Sequence, residues 1–209
     1  MIITVIRIMQ IAVLTDESLK EELLSNGVLS NENIQWVTTI KKFQHCSADV
    51  FIDLLFEKWH VEILQTLLPK LVIINSVEET LAETHTSFVR INGWPTFLKS
   101  ELIEASCFSG DNREKTEKVF SLFNKKLEWL PDEIGFITPR VISMIINEAF
   151  IALKEGVSTK EEIDTAMKLG TNYPYGPFEW AEKIGIEKLN RLLKELSKRQ
   201  HRYTSFISA

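Results

Sequence analysis

The residues able to do chemistry in this chain are mostly carboxylates set at the ends of apolar runs. Asp16 and Glu17 follow Ile11 to Leu14, Glu57 follows Val50 to Leu55, Glu78 and Glu79 follow Leu71 to Ile74, and Glu104 lies within Leu102 to Ala105. A carboxylate so placed can take a proton, orient a donor or cap a helix. The turn after the first run reads Thr15-Asp16-Glu17-Ser18. A turn that seats a pyrophosphate needs glycines, so that backbone amides approach the phosphates at a helix N-terminus. Here there are none, and Asp16 and Glu17 put negative charge where an anion would sit, which suits helix capping instead. After Ile34 to Val37 the position for a ribose-binding acid holds Thr38 and Thr39. Ser76 and Glu79 have the spacing of a capping box, and His85, just before a strand, is not placed as a base.

These residues need a scaffold, and the pattern around them supplies one. Ile11 to Leu14 reads as a strand, the stretch with Leu19, Leu23 and Leu24 as a helix, and Asn26 to Asn33 as a polar loop. Ile34 to Val37 and Val50 to Leu55 read as further strands, the stretch with Trp59, Ile63, Leu64 and Leu67 as a helix, and Leu71 to Ile74 and Phe88 to Ile91 as strands. Strand alternating with helix argues a parallel sheet with crossovers. Asp111 and Asn112 can cap a helix from about Arg113 to Leu127, and Trp129-Leu130-Pro131 then connects to a helical region. There Pro139 opens a helix that carries Ile142, Ile145, Ile146, Ala149 and Leu153 and ends at Gly156. A second helix starts at Ser158 or Thr159, with Glu161 or Glu162 reaching back, has Ile163, Ala166 and Met167 as its apolar face, and closes at Gly170. Pro177 opens a third after the turn Asn172 to Gly176, a fourth runs from Ile186 to Arg199, and Gln200 to Ala209 reads as a loose tail. The fold class is therefore α/β: a shortened Rossmann-like parallel sheet domain over 1–130, with sheet lost at the polar loop, then an all-helical domain over 131–209.

Composition narrows the partners. A net charge of -5, with basic and acidic residues interleaved, gives no footprint for nucleic acid. Cys46 and Cys107 stand far apart with no metal-ligand spacing, so neither a metal site nor a disulfide is expected, and a reducing cytoplasm fits. Met1 to Met9 is apolar but short and carries Arg7, without a cleavage site, so no leader is expected; nor does any run approach the roughly 20 apolar residues of a membrane span.

The order Asn147-Glu148-Ala149, Glu155-Gly156-Val157, Ile163 to Gly170, then Tyr173-Pro174-Tyr175-Gly176-Pro177-Phe178-Glu179-Trp180 resembles the helical C-terminal domain of the 3-hydroxyacyl-CoA dehydrogenase family. A weaker resemblance covers most of the chain. It implies a protein of fatty acyl-CoA metabolism, a homodimer paired through the helical domain, NAD as cofactor and an acyl-CoA-type small molecule as ligand. The family reaction oxidises a 3-hydroxyacyl-CoA to a 3-oxoacyl-CoA. By the same resemblance Glu57 is the cofactor-site glutamate and Glu104 the catalytic-site glutamate that orients a histidine. That histidine falls at Ile91, the asparagine of an Asn-Pro pair at Trp94, a helix asparagine at Pro139, a basic residue at Glu62, and one of the serines near the substrate hydroxyl at Glu78. Removing hydride from a secondary alcohol needs a base for the hydroxyl proton, and isoleucine offers none. The alternative is a non-catalytic dimeric member that binds an acyl-CoA or a partner enzyme, its Tyr173-Pro174-Tyr175 loop and Trp180 lining a groove or only packing between helices.

Overall fold

The computed structural model describes residues 9–29 and 33–207, so most of the Met1 to Met9 segment lies outside the described residues. Contacts divide the chain into two units. The sheet unit takes residues up to Ser76, Thr80–Gly93 and Phe97–Asp132; the helical unit takes Val77–Glu79, Trp94–Thr96 and the residues from Glu133 on.

Among the described residues the sheet has seven strands: β1 (Ile11–Leu14), β2 (Ile34–Val37), β3 (Val50–Asp53), β4 (Leu71–Asn75), β5 (Val89–Ile91), β6 (Leu102–Ser106) and β7 (Lys126–Trp129), in the order β2-β1-β3-β4-β5-β6-β7. Pairing is parallel from β2 through β5, antiparallel between β5 and β6, and parallel again between β6 and β7. The expected parallel sheet is thus a mostly parallel one with one reversed junction.

Four helices accompany it: α1 (Glu17–Leu24), α2 (Ile40–Phe43), α3 (Val61–Gln65) and α4 (Gly110–Ser121). Alternation along the strands sorts side chains to two faces. Ile11, Val13, Ile52 and Ile73 join Leu19 and Leu23 of α1 and Val119 and Phe120 of α4 in one core, while Ala12, Leu14, Phe51 and Ile74 join Phe43 of α2 and Leu64 of α3 in the other. With both faces covered the central strands read as unbroken apolar runs. A doubly wound sheet of this type usually has a further strand beyond β2; among the described residues there is none, and the chain returns from β2 to β3 through the four-residue α2.

Three boundaries differ from expectation. The stretch from Trp59 to Leu67 forms a 3-10 turn, Lys58–His60, and the short α3, with Trp59 exposed. The helix expected from Arg113 to Leu127 is α4, capped by Ser109, whose hydroxyl accepts the Asn112 amide at 3.3 Å. It stops because Asn124 adopts φ 53° and the Lys125 amide turns back to the Phe120 carbonyl, a left-handed C-terminal arrangement; Leu127 then belongs to β7. No helix starts at Ser76; the turn is made instead by Thr80, whose amide and hydroxyl both donate to Glu83.

Lys125 is buried, and its ammonium donates to Asn26 Oδ1 at 2.9 Å and to the Ser100 carbonyl at 3.1 Å. Burial pulls its pKa down to about 8, against the opposing pull of Glu22 and Glu101. An unfolded lysine titrates near 10.4, so between those values the unfolded chain holds the proton more tightly and stability rises with pH, while below about 8 this contribution is flat. Urea unfolding at pH 7 and pH 9.5 is expected to show a larger rise for the native chain than for Lys125→Met; equal rises would contradict the burial.

The helical unit contains α5 (Thr138–Lys154), α6 (Lys160–Thr171), α7 (Pro177–Ile184) and α8 (Ile186–Ser197). Thr159 and Glu162 form the capping box of α6, and Pro177 opens α7. α6 runs past Gly170 and is closed by Asn172 at φ 57°; on its apolar face Ile163 and Met167 are half-buried and Ala166 is exposed, and its one buried residue is Asp164. The residue at the N-cap of α7 is Gly176, which has no side chain to cap with. Asp164 does the capping from α6, its carboxylate accepting the Phe178 amide at 2.8 Å and the Glu179 amide at 3.2 Å. Tyr173 and Tyr175 pack against Trp180 with ring centroids 5.4 and 6.0 Å away. α8 buries Leu189, Leu192, Leu193 and Leu196. The tail is not loose as far as Ile207: Tyr203 and Ile207 are buried, and Asn147 holds the segment by donating to the Thr204 carbonyl at 3.0 Å and accepting the Phe206 amide at 2.7 Å.

Candidate functional site

In open sheets of this type ligands settle outside the carboxyl ends of the strands, where the strand order reverses. That reversal falls between β1 and β3, whose ends are Leu14 and Asp53, paired in register. Just beyond β1, the Asp16 carboxylate accepts the Leu19 amide at 2.8 Å and Glu17 occupies the first turn of α1. The partial positive charge of that helix end is already matched by a carboxylate, so a pyrophosphate there would meet like charge and find the Leu19 amide taken. Beyond β2, the Thr39 hydroxyl accepts the Lys42 amide at 3.4 Å as the cap of α2, and no carboxylate stands ready for a ribose.

Beyond β3 lies a pair not foreseen from the residues. Asp53 is fully buried at the strand end, and its Oδ2 lies 2.6 Å from Nδ1 of the buried His60. Burial pushes the Asp53 carboxyl up, while the hydrogen bond and charge of His60, then the Leu55 amide, draw it back. The His60 ring is contacted edge-on by Trp59, 4.1 Å between centroids, and by Phe56, 6.2 Å. The pair fixes the 3-10 turn against the sheet. The only hint in the sequence is the seven-residue separation across a turn, which no periodicity flags. Glu57 is exposed at the start of this turn, and its carbonyl accepts the His60 amide at 2.8 Å.

The ends of β4 and β5 and the middle of β6 form the second part of the site. Asn75, where β4 ends, spends its whole amide internally: Nδ2 donates to the carbonyls of Leu54 at 3.0 Å and Gly93 at 2.9 Å, and Oδ1 accepts the Gly93 amide at 2.9 Å. A Cβ on Gly93 would lie 2.9 Å from Asn75 Cγ, so this close approach requires glycine. Glu104 is 9% exposed and accepts the Asn92 side-chain amide at 3.0 Å, while its carbonyl takes the Asn92 backbone amide at 2.9 Å. The glutamate thus faces an asparagine. Ile91 is buried in the sheet core, and Trp94 is buried in the helical unit. Glu78 also belongs to the helical unit, where its carboxylate lies 3.4 Å from Arg191 and burial pushes its pKa up. Among the described residues no cluster of three metal-ligating side chains exists, and no helix is long and apolar enough to cross a membrane. The site can hold protons and hydrogen-bond donors.

A Rossmann-like sheet unit joined to a helical unit is the architecture that strand order and site position define. Residues 135–206, within the helical unit, match the family model described as 3-hydroxyacyl-CoA dehydrogenase, C-terminal domain. The chain is 47% identical over 74 residues to the 3-hydroxyadipyl-CoA dehydrogenase of Escherichia coli (strain K12), covering 35% of this chain and 15% of that protein. It is 28% identical over 174 residues to a probable 3-hydroxybutyryl-CoA dehydrogenase of Bacillus subtilis (strain 168), covering 76% and 60%. The chain spans from 15% to 60% of the length of these two curated relatives. In fold it is similar to the crystal structure of (S)-3-hydroxybutyryl-CoA dehydrogenase from Ralstonia eutropha, with a TM-score of 0.70, 19% identity, and coverage of 95% of this chain and 90% of that one.

Proposed function

We propose that this chain is a 3-hydroxyacyl-CoA dehydrogenase-like protein of fatty acyl-CoA metabolism that keeps the family body, with domains at 1–130 and 131–209, and binds an acyl-CoA-type ligand without oxidising it through NAD. The observation that carries this reading is the Asp16 carboxylate seated on the first turn of α1, where a dinucleotide would need bare amides. Ile91, without a titratable group, supports it from the reaction side.

In this reading Glu104 is a binding-site acid that positions Asn92, and Glu57 lies at the mouth of the crevice. The chain acts as a cytoplasmic homodimer, in keeping with two unpaired cysteines and with Val157 and Leu169 exposed on and beside α6. The retained Glu104 also favours a second reading, the dehydrogenase itself, in which that glutamate would serve a base brought by another route.

One titration separates the two. NADH fluorescence is expected to stay unchanged on addition of protein, acetoacetyl-CoA to bind saturably, and a mixture of the three to show no loss of NADH absorbance. Turnover would establish the dehydrogenase, and failure of acetoacetyl-CoA to bind would remove the proposed function. Light scattering that gives a monomer at micromolar concentration would remove the dimer.

A further inference from the structure

A cleft of about 440 Å³ opens on α5 within the helical unit, a volume in the range of small-molecule sites. Val141, Met144 and Ile145 make its apolar floor, and Arg140, Arg202 and Tyr203 stand around it. Its second wall is the C-terminal tail, which the Asn147 amide pins at both Thr204 and Phe206 while Tyr203 is buried. The wall is therefore built, not draped.

The guanidinium groups are the unusual part. Arg140 donates through Nη2 to the Ile134 carbonyl, and its buried Nε has no hydrogen-bond partner. Arg202 lies over the Tyr203 ring, 4.7 Å from its centroid, and donates to the Tyr203 hydroxyl at 2.7 Å. Among the described residues neither is paired with a carboxylate. Two guanidinium groups beside an apolar floor favour an anion with planar oxygens on a hydrocarbon body, since the fork of donors matches a carboxylate. Glu148 also lines the cleft, two helical turns along α5 from Arg140, about 12 Å at 1.5 Å per residue. Its charge repels a second anionic group and sets the ligand's head toward Arg140.

We propose that this cleft binds an amphipathic monocarboxylate, an aliphatic or aromatic acid whose apolar body lies on Val141, Met144 and Ile145. The assignment is independent of the acyl-CoA reading, because neither NAD nor coenzyme A enters it. Octanoate is the probe and octanol the neutral control, both titrated calorimetrically into the full chain. Octanoate is expected to bind saturably and at least tenfold more tightly than octanol. Arg202→Gln is expected to weaken octanoate at least tenfold and leave octanol unchanged. Ile145→Trp is expected to abolish both, with Val141→Trp, at a half-exposed position, as the substitute if the first variant does not fold. Equal affinities for acid and alcohol, or octanoate binding that survives the filled cleft, would overturn the proposal. So would a dimer that Val141→Trp splits while octanoate has no effect, since the cleft would then be covered by a second copy.

Discussion

Gly176→Ala is expected to lower the stability of the helical unit by about 3 kcal/mol, the sum of overpacking and of damage to hydrogen bonds on a charged acceptor. A Cβ at this position would lie 2.2 Å from Cγ of Asp164, a distance no side chain tolerates. Asp164 cannot step aside cheaply, because its carboxylate holds the first amides of α7, those of Phe178 and Glu179. Glu179 in turn accepts the Gly176 amide at 3.0 Å and pairs with Lys168 of α6, so the joint between the two helices is closed from both sides. Urea unfolding measures the loss, and the near-ultraviolet signal of Trp180, packed on Tyr173 and Tyr175, reports whether the joint has opened. Because both residues act through one contact, Asp164→Ala and Gly176→Ala should cost less together than the sum of each alone. A Gly176→Ala chain within 0.5 kcal/mol of the parent, well inside the range of ordinary surface changes, would show that Asp164 does not cap α7 in solution.

A comparable loss, about 3 to 5 kcal/mol, is expected for Asp132→Ala, because it strips the counter-charge from a buried cation. Arg90 is fully buried in β5, and its Nε lies 3.1 Å from Asp132 Oδ1, a Coulombic contact without the alignment of a good hydrogen bond. The other Asp132 oxygen accepts the Leu81 amide at 2.8 Å. The carboxylate therefore ties the end of the sheet unit to the centre of its sheet. Arg90→Met with Asp132→Ala should recover much of the loss, since an apolar pair of similar volume no longer needs the charges matched. If Asp132→Ala unfolds at the same urea concentration as the parent, the pair is solvated and the buried ion pair is not what holds this strand.

The local rules read from the sequence worked where the determinants lie next to each other. Thr159 with Glu162, Pro177 at the start of α7 and Gly156 at φ 73° behind α5 each act over a few residues, and the strands β1 to β5 follow from apolar runs. What was not legible depends on partners distant in sequence. Asp164 reads as a solvated acid on α6 until α7 is packed beside it, and β7 reads as the end of a helix until β6 offers it an edge. The tail reads as loose because nothing near it in sequence announces that Asn147 holds it. In the site, the missing glycines and the isoleucine at 91 were plain from residue type alone. The closed amide of Asn75, the Glu104 to Asn92 bond and the Asp53 to His60 pair arise only when strand ends meet.

Among the described residues β2 is the rim of the sheet, four half-buried residues with backbone groups on their outer side unclaimed by any described strand. Such a rim invites other chains to add a strand of their own, the first step of aggregation. Its shortness, the lysines 41 and 42 that follow it, and the Lys20 ammonium 5.7 Å from the Trp36 ring keep charge at this margin. Cations along this margin thus guard an edge that the described strands leave open.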